Sequence, residues 1–258
     1  MKSNLDIKFS IITPCYNSVD TIRATIESVL SQNYNNIEYI IIDGGSTDGT
    51  LEVIHEYIAS LSIISEQDDG IADAMNKGIK MSSGDVIGIL NADDVYLPGA
   101  LLKVSKYITT DNNSVVHGDM YVVFPNSNLS YESIASDSPN FSKGMVIHHP
   151  AMFIPKKIMI KYGYYDTSLK ITMDWELCLR YSKNNVNFIH CDNFIVKYVV
   201  GGLSTIHSFE VFSEMHILRK RYHMFQFIDI AYLKHSILSF FTFGRIILIS
   251  HMKRAILK

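Results

Sequence analysis

Asp93 and Asp94 are the first residues in this chain placed to do chemistry. They follow the apolar run Val86-Ile87-Gly88-Ile89-Leu90, with only Asn91-Ala92 between. A buried strand ending in acids puts negative charge at the rim of a sheet, where open α/β folds bind ligands. Two neighbouring carboxylates repel each other unless a cation or a proton intervenes. A divalent cation at that rim would in turn hold a diphosphate. An ordinary turn or helix start accounts for the same pair, because Asp is common at both.

Two further strand ends carry polar groups that bear on this choice. The run Phe9-Ser10-Ile11-Ile12 ends in Thr13-Pro14-Cys15-Tyr16-Asn17. The run Ile37 to Ile42 ends in Asp43-Gly44-Gly45-Ser46. In a doubly wound sheet all three ends converge on one crevice. Such a crevice offers an aromatic face for a base, a carboxylate that accepts hydrogen bonds and a metal site for phosphates. Each feature also has a plain alternative: a turn at Asp43, packing for Tyr16, a helix start at Asn17.

The elements that position these groups alternate between strand and helix. Ile22, Ile26, Val29 and Leu30 share one face of a helix of about 13 residues, with Ser18 or Asp20 as its N-cap. A second helix runs through Leu51, Ile54, Tyr57 and Ile58, a short strand covers Leu61–Ser65, and a third helix covers Ile71–Met81. Strand, loop and helix repeat three times, and the strands are nearly continuous in apolar residues. That pattern predicts an α/β fold with a mostly parallel sheet covered by helices on both faces. A helix is predicted over 99–108, one or two strands over Ser114–Val123, and an Asn- and Ser-rich loop over 124–143. A helix over Asp174–Ser182 and a strand over Asn187–Val199 follow.

Composition narrows the function classes. The 258 residues are 47% hydrophobic, enough for a full core in one large domain. Residues 205–258 hold eight Lys+Arg against three Asp+Glu, while the whole chain is at −3, so the body is acidic. An acidic body argues against nucleic acid as a partner. Cys15, Cys178 and Cys191 have no metal-site spacing and suit a reducing compartment. The first residues, Met-Lys-Ser-Asn-Leu-Asp-Ile-Lys, lack an apolar signal core, so a cytoplasmic protein is expected. The Gly-x-Gly-x-x-Gly of dinucleotide enzymes is absent after the first strand, where Thr-Pro-Cys-Tyr-Asn stands instead.

The order and spelling of these segments resemble a known family. Ser10-Ile11-Ile12-Thr13-Pro14-Cys15-Tyr16-Asn17, Ser31-Gln32-Asn33-Tyr34, Asp43 to Thr50, Gly70 to Ile79 and Asn91-Ala92-Asp93-Asp94 together resemble the family 2 glycosyltransferases of GT-A fold. Among these, the chain looks most like bacterial enzymes of capsule, O-antigen or colanic-acid assembly. The resemblance implies a GT-A domain over 1–205, with a nucleotide-sugar half at about 8–110 and an acceptor half at about 111–205. It implies that Thr13, Pro14 and Tyr16 line the base pocket with Asp43 reading the base edge, and that Asn17 and Gly44 belong to the same donor site. Asp73, Asn76 and Lys77 would sit by the ribose, phosphates or donor sugar. Asp93 would take the metal-binding place of the D-x-D motif, with Asp94 beside it and Mn2+ or Mg2+ as the ion. The motif's first position is Asn91, whose amide oxygen is a poorer ligand than a carboxylate. A late histidine completes the metal shell in some relatives, which makes His207 a candidate.

Asp174 matches the family's general base, the group that takes the acceptor's proton in an inverting transfer. Simple N-capping accounts for Asp174 too, at about 1 kcal/mol. His148-His149-Pro150 falls where related enzymes build the acceptor side. The donor implied is a nucleotide-diphosphate sugar, of UDP type first, and the acceptor a saccharide or lipid-linked saccharide. Another nucleotide-using enzyme, such as a nucleotidyltransferase, and a non-catalytic nucleotide-sugar-binding protein stay open as alternatives. Residues 206–258 read as a basic, apolar helical tail, with a long helix over 208–233. The run Ser236–Ile249 is too short to span a bilayer and is interrupted by Arg245. Peripheral contact with the inner face of an anionic membrane is expected of it, with packing on protein as the alternative.

Overall fold

The computed structural model of the protein describes residues 7–108, 113–125, 129–201 and 208–224. The apolar runs of the first half form four parallel strands. These are β1 (Phe9–Cys15), β2 (Ile37–Asp43), β3 (Ser62–Ser65) and β4 (Val86–Ile89). They lie in the order β3-β2-β1-β4, so β1 is flanked by β2 on one side and β4 on the other. The chain order reverses at β1, and the crevice beyond the carboxyl ends of β1, β2 and β4 is the topological switch point.

Side-chain alternation explains why these strands are apolar throughout. Phe9, Ile11, Tyr39 and Ile41 join one core with Ile22, Ile26 and Val29 of α1 (Ile22–Leu30). Ile12 and Ile42 point the other way, onto α3 (Ile71–Met81). A Cβ at Gly78 would lie 2.4 Å from Ile12 Cγ2, so glycine is what lets α3 lie against the sheet.

Beyond β4 the sheet is mixed. Its order continues β8-β6-β9-β5, with β7 on the far end of β6. Here β5 is Val95–Tyr96, β6 Ser114–Val123, β7 Ser130–Ser133, β8 Met152–Pro155 and β9 Asn187–Val199. β8 runs antiparallel to both β4 and β6, which restores the direction of β4 in β6 and its parallel partner β9. The remaining helices are α2 (Thr50–His55), α4 (Ala100–Ser105), α5 (Lys156–Tyr162), α6 (Met173–Lys183) and α7 (Ser208–Arg221). The α/β expectation stands, with its parallel part confined to β3-β2-β1-β4 and to the β6–β9 pair.

Several boundaries differ from expectation for identifiable reasons. α1 has nine residues and Thr21 as N-cap, with no side-chain cap bond. Ser18 serves through its carbonyl, which accepts the N–H groups of Thr21 and Ile22, while its own N–H goes to Thr50 Oγ1. α2 stops at His55, and Ile58 is 49% exposed. Tyr57 instead donates its hydroxyl to Glu27. The 124–143 segment is not all loop: β7 pairs with β6 from Val123↔Ser130 to Met120↔Ser133.

The chain divides into a unit ending at Met215 and a second from His216. The first contains the whole sheet. Of the second, the described part is the end of α7, basic at Arg219, Lys220 and Arg221, and the turn to Met224. The helix expected over 208–233 ends at Arg221, and its expected continuation over 225–233 and the apolar run at 236–249 lie outside the described residues, as does His207. No helix among the described residues is long and apolar enough to cross a membrane.

Candidate active site

The carboxyl ends of β1 and β2 are laced into one rim. Asn17 takes a left-handed backbone (φ 48°), donates its N–H to Ser46 Oγ at 2.8 Å and accepts the Thr47 N–H on Oδ1 at 2.9 Å. Ser18 N–H bonds Thr50 Oγ1 and Val19 N–H bonds Asp48 Oδ2. Gly44 N–H bonds the Cys15 carbonyl at 2.9 Å. This lattice leaves Tyr16 standing out at 62% exposure, an aromatic face free to stack. Thr13 and Pro14 are buried within β1, and Thr13 Oγ1 pairs with the buried Tyr39 hydroxyl. Their side chains therefore support the pocket from behind rather than line it.

Asp43 has a different task from the one expected. It is fully buried, and its carboxylate accepts the N–H groups of Gly45 and Ser46 and the hydroxyls of Ser46 and Ser65. The Cys15 thiol, kept protonated by burial and by the Asp43 charge, also faces it. These bonds shape the loop, and a base edge would have to displace one of them. Asp68 is a further acid at this rim, beside Gly44. A Cβ at position 44 would lie 2.6 Å from Asp68 Oδ2, so Gly44 makes room for that carboxylate. A sequence signal existed: Asp68 follows β3 much as Asp43 ends β2.

On α3, Asp73 and Lys77 pair at 3.2 Å, and Lys77 also reaches Glu66 at 2.9 Å and the Gln67 carbonyl at 3.2 Å. This cluster lies beside the Asp68–Gly70 turn, whose Asp69 N–H donates to Asp73. Asn76 departs from expectation. It is buried and clasps the backbone of Tyr165, donating to its carbonyl at 2.9 Å and accepting its N–H at 3.0 Å. It thus ties the two halves of the fold together through both of its side-chain polar atoms.

The Asn91–Asp94 turn separates its two acids. Asp94 is fully buried, accepting from Val199 N–H and Asn91 Nδ2, both at 3.4 Å. The Thr25 hydroxyl holds its carbonyl at 2.8 Å. Asp93 is half-buried, which leaves its carboxylate as the accessible one. Burial raises the proton affinity of both, and the Asp93 charge raises that of Asp94 further. The buried Asn91 Oδ1 has no hydrogen-bond partner among the described residues. An orphaned amide oxygen next to an accessible carboxylate is a donor set that fits a hard divalent cation, with phosphate and water oxygens to complete the shell. Among the described residues, no three His, Cys, Asp or Glu side chains are arranged to hold a metal ion by themselves. Asp94, expected beside Asp93 as a ligand, is buried and bonded to Val199 N–H and Asn91 Nδ2, and Asp93 has the more accessible carboxylate.

Asp174 sits in the first turn of α6. It is half-buried and accepts the Trp175 N–H at 2.7 Å. Burial raises its proton affinity, while His149 opposes the rise. His149 lies in the turn before β8 and bonds the Tyr165 hydroxyl at 2.9 Å. The structure therefore brings together Asp174, His149 and Tyr165, with Asn76 behind them. Thr172, not Asp174, is the N-cap residue.

A second histidine group lies at the β6–β9 bulge. His190 places its ring nitrogens on Asp137 and on Asp119 (2.8 Å), and His117 stacks on it with ring centres 5.3 Å apart. Neither ring nitrogen of the buried His117 has a hydrogen-bond partner among the described residues. Burial pushes its pKa down to about 4. A histidine with a depressed folded pKa stabilises the fold above its unfolded value and loses that contribution as pH falls through the folded one. The loss between pH 6.5 and 4 is about 3 kcal/mol at 1.36 kcal/mol per unit. His190, whose carboxylate partners outweigh its burial, and the buried acids work in the opposite direction. The measurement is therefore a difference: the melting temperature of His117→Leu should gain on the natural protein as pH drops from 7 to 5. A constant gap would show that protonation of this ring is not penalised.

Comparison with known proteins now identifies the class. The glycosyl transferase family 2 profile matches residues 10–170, and the chain belongs to that family. It is 30% identical over 195 residues to an uncharacterized glycosyltransferase of Rickettsia typhi, covering 70% of this chain and 61% of that protein. It is 30% identical over 182 residues to a PGL/p-HBAD biosynthesis glycosyltransferase of Mycobacterium tuberculosis, covering 68% of this chain and 70% of that one. The chain thus spans about three fifths of the length of its rickettsial relative. Among solved structures, Staphylococcus aureus TarS 1–349 in complex with UDP-GlcNAc superposes with TM-score 0.63 at 19% identity, over 78% of this chain and 61% of that one. The mannosyltransferase PcManGT of Pyrobaculum calidifontis, in complex with GDP-Man and Mn2+, gives TM-score 0.63 at 13% identity, over 84% and 70%. The fold is therefore GT-A-like, with a curled mixed sheet.

Proposed function

We propose that this chain is an inverting, metal-dependent glycosyltransferase. It moves a sugar from a nucleotide-diphosphate donor, of the UDP-sugar class, to a saccharide or lipid-linked saccharide acceptor in bacterial surface polysaccharide synthesis. The observation that carries the reading is the turn after β4, which holds both the orphaned, buried Asn91 Oδ1 and, two residues on, the half-buried carboxylate of Asp93. The nucleotide sugars in TarS and PcManGT support the donor class, and the Mn2+ in PcManGT supports the ion. The mycobacterial relative's role in PGL/p-HBAD biosynthesis supports a glycoconjugate product.

In this reading Tyr16 stacks on the base, and the laced Asn17–Ser46 rim holds the pocket open for it. Asp73 and Lys77 face the donor's ribose, phosphates or sugar. Asn91 and Asp93 hold Mn2+ or Mg2+, which when bound neutralises the departing diphosphate as a Lewis acid. Asp174 takes the proton of the acceptor hydroxyl as that oxygen attacks the anomeric carbon, and the configuration inverts. Its raised proton affinity suits a base that must work near neutral pH. The work takes place on the cytoplasmic side, and the basic end of α7 faces an anionic leaflet that carries the acceptor.

A thermal-shift panel tests the donor reading. Nucleotide sugars are compared with and without Mn2+, on the natural protein and on Asp93→Ala. Saturation at a hundred times Kd stabilises the fold by about 2.7 kcal/mol. One nucleotide class should raise the melting temperature, and Mn2+ should enlarge that rise only while Asp93 is present. No shift with any nucleotide sugar, with or without the ion, would overturn the proposal.

A further inference from the structure

Asp174 can act as base only if the start of α6 is held still; Trp175, whose Nε1 donates to the Phe141 carbonyl at 2.7 Å, anchors the helix side of that turn, and the chain entering it needs a hold of its own. Thr172 is the N-cap residue, yet its side chain caps nothing in α6. A threonine there ordinarily accepts an N–H from the first turn. Here its hydroxyl and its own N–H both donate to Glu214, at 3.0 and 2.9 Å to the same carboxylate oxygen. Ile171 N–H donates to that oxygen at 3.1 Å, and Lys170 N–H to the other at 2.6 Å. One carboxylate from α7 thus collects three successive backbone N–H groups and a hydroxyl. The segment it grips joins the Asp166 turn to α6 and lies in no strand, so no sheet ladder orders it.

We propose that Glu214 is a positioning residue for Asp174: its carboxylate clamps the 170–172 segment and so sets the direction in which the Asp174 side chain leaves α6. This inference rests on the reading of Asp174 as the base. Three observations support it. Glu214 is 9% exposed, so water competes weakly for its oxygens. Burial works against its charge, but the N–H donors and the hydroxyl outweigh it and hold the carboxyl below its ordinary range. The clamp is therefore charged at neutral pH, and charge-assisted bonds are the strong ones. Finally, the Glu214 charge acts on Asp174 itself and adds to the rise that burial causes there. The other groups that bear on Asp174 are His149, Tyr165 and Cys178. Glu176 and Arg180, on α6 itself, pair with each other at 2.8 Å.

Two readouts separate positioning from plain stabilisation, and neither needs the acceptor to be known. The full chain is prepared as the natural protein, Glu214→Gln and Glu214→Asp, with Asp174→Asn to identify the Asp174 carboxyl signal. Amide hydrogen exchange at 170–172 should quicken by about tenfold or more in Glu214→Gln, the scale of one lost hydrogen bond to a charged group. The carbon-13 titration of the Asp174 carboxyl should move to lower pH in the same variant, because a neighbouring negative charge has gone. Glu214→Asp, which keeps the charge on a shorter stem, should hold the titration near its natural midpoint while exchange stays fast. If Glu214→Gln does not fold, the exchange rates of Glu214→Asp decide the matter alone. Unchanged exchange at 170–172 in a folded variant would overturn the clamp. Full transfer activity in Asp174→Asn would instead sink the base assignment and leave the clamp measurements as they stand.

Discussion

Asp174→Asn should abolish sugar transfer and leave the fold standing. General base catalysis contributes about 10^2- to 10^4-fold, so kcat should fall by that range with little change in donor KM. The amide retains an oxygen to accept the Trp175 N–H, the bond the carboxylate makes at 2.7 Å. Burial disfavours the ionised acid at this position, so a neutral amide should melt at the same temperature or slightly higher. The pH profile supplies the sign. A base must be deprotonated to work, so kcat/KM of the natural enzyme rises with pH through the Asp174 pKa. That pKa lies above the ordinary carboxylate value because of burial, so the acid limb should stand to the alkaline side of ordinary aspartate. The limb should vanish in the residual activity of the variant. Transfer within tenfold of the natural rate would remove Asp174 from the mechanism.

The second large effect is a contrast between neighbours. Asp93→Ala should lower transfer by about 10^2- to 10^3-fold, the scale on which one electrostatic contributor to a transition state acts. Its stability should change little, because the half-buried Asp93 carboxyl is already penalised by burial. Asp94→Ala should do the reverse at the level of the fold. It strips the acceptor from Val199 N–H and from Asn91 Nδ2. Losing these two part-buried bonds should cost about 0.5–1.5 kcal/mol, which urea denaturation would read directly. Mn2+-dependent stabilisation should disappear in Asp93→Ala and persist, weakened, in Asp94→Ala. If Asp94→Ala were instead the stable and inactive variant, the two roles would have to be exchanged.

Much of the fold was legible because its signals are local. The strands at Phe9–Cys15 and Ile37–Asp43 are apolar without a break, since each buries both faces. The helix over Ile71–Met81 begins after Gly70 and keeps its apolar spacing to the end, so its bounds could be read directly. The strand over Asn187–Val199 was equally plain. β7 was not, because Ser130–Ser133 is polar and owes its extended form to pairing with β6. The antiparallel direction of β8 depends on partners about 35 and 65 residues away in the chain, at Val116–His117 and Val86–Gly88. The short ends of α2 and α4 were illegible for a related reason: tertiary contacts decide where a weak helix stops.

The candidate site divides along the same line. Residue type and order along the chain determined that acids and amides gather at the carboxyl ends of β1, β2 and β4, and that an acid opens α6. Covalent neighbours and strand periodicity are enough for that, and they carry the membership in family 2. Only the tertiary structure decided which of two adjacent aspartates faces outward, because the Thr25 hydroxyl and Val199 N–H draw Asp94 into the core. Only it turned Asp43 and Asn76 from expected ligand contacts into fasteners, by supplying Ser65 to one and the Tyr165 backbone to the other. Glu214 had no signal at all in the sequence. A carboxylate acquires its role from the donors that reach it, and these come from a segment more than forty residues earlier in the chain.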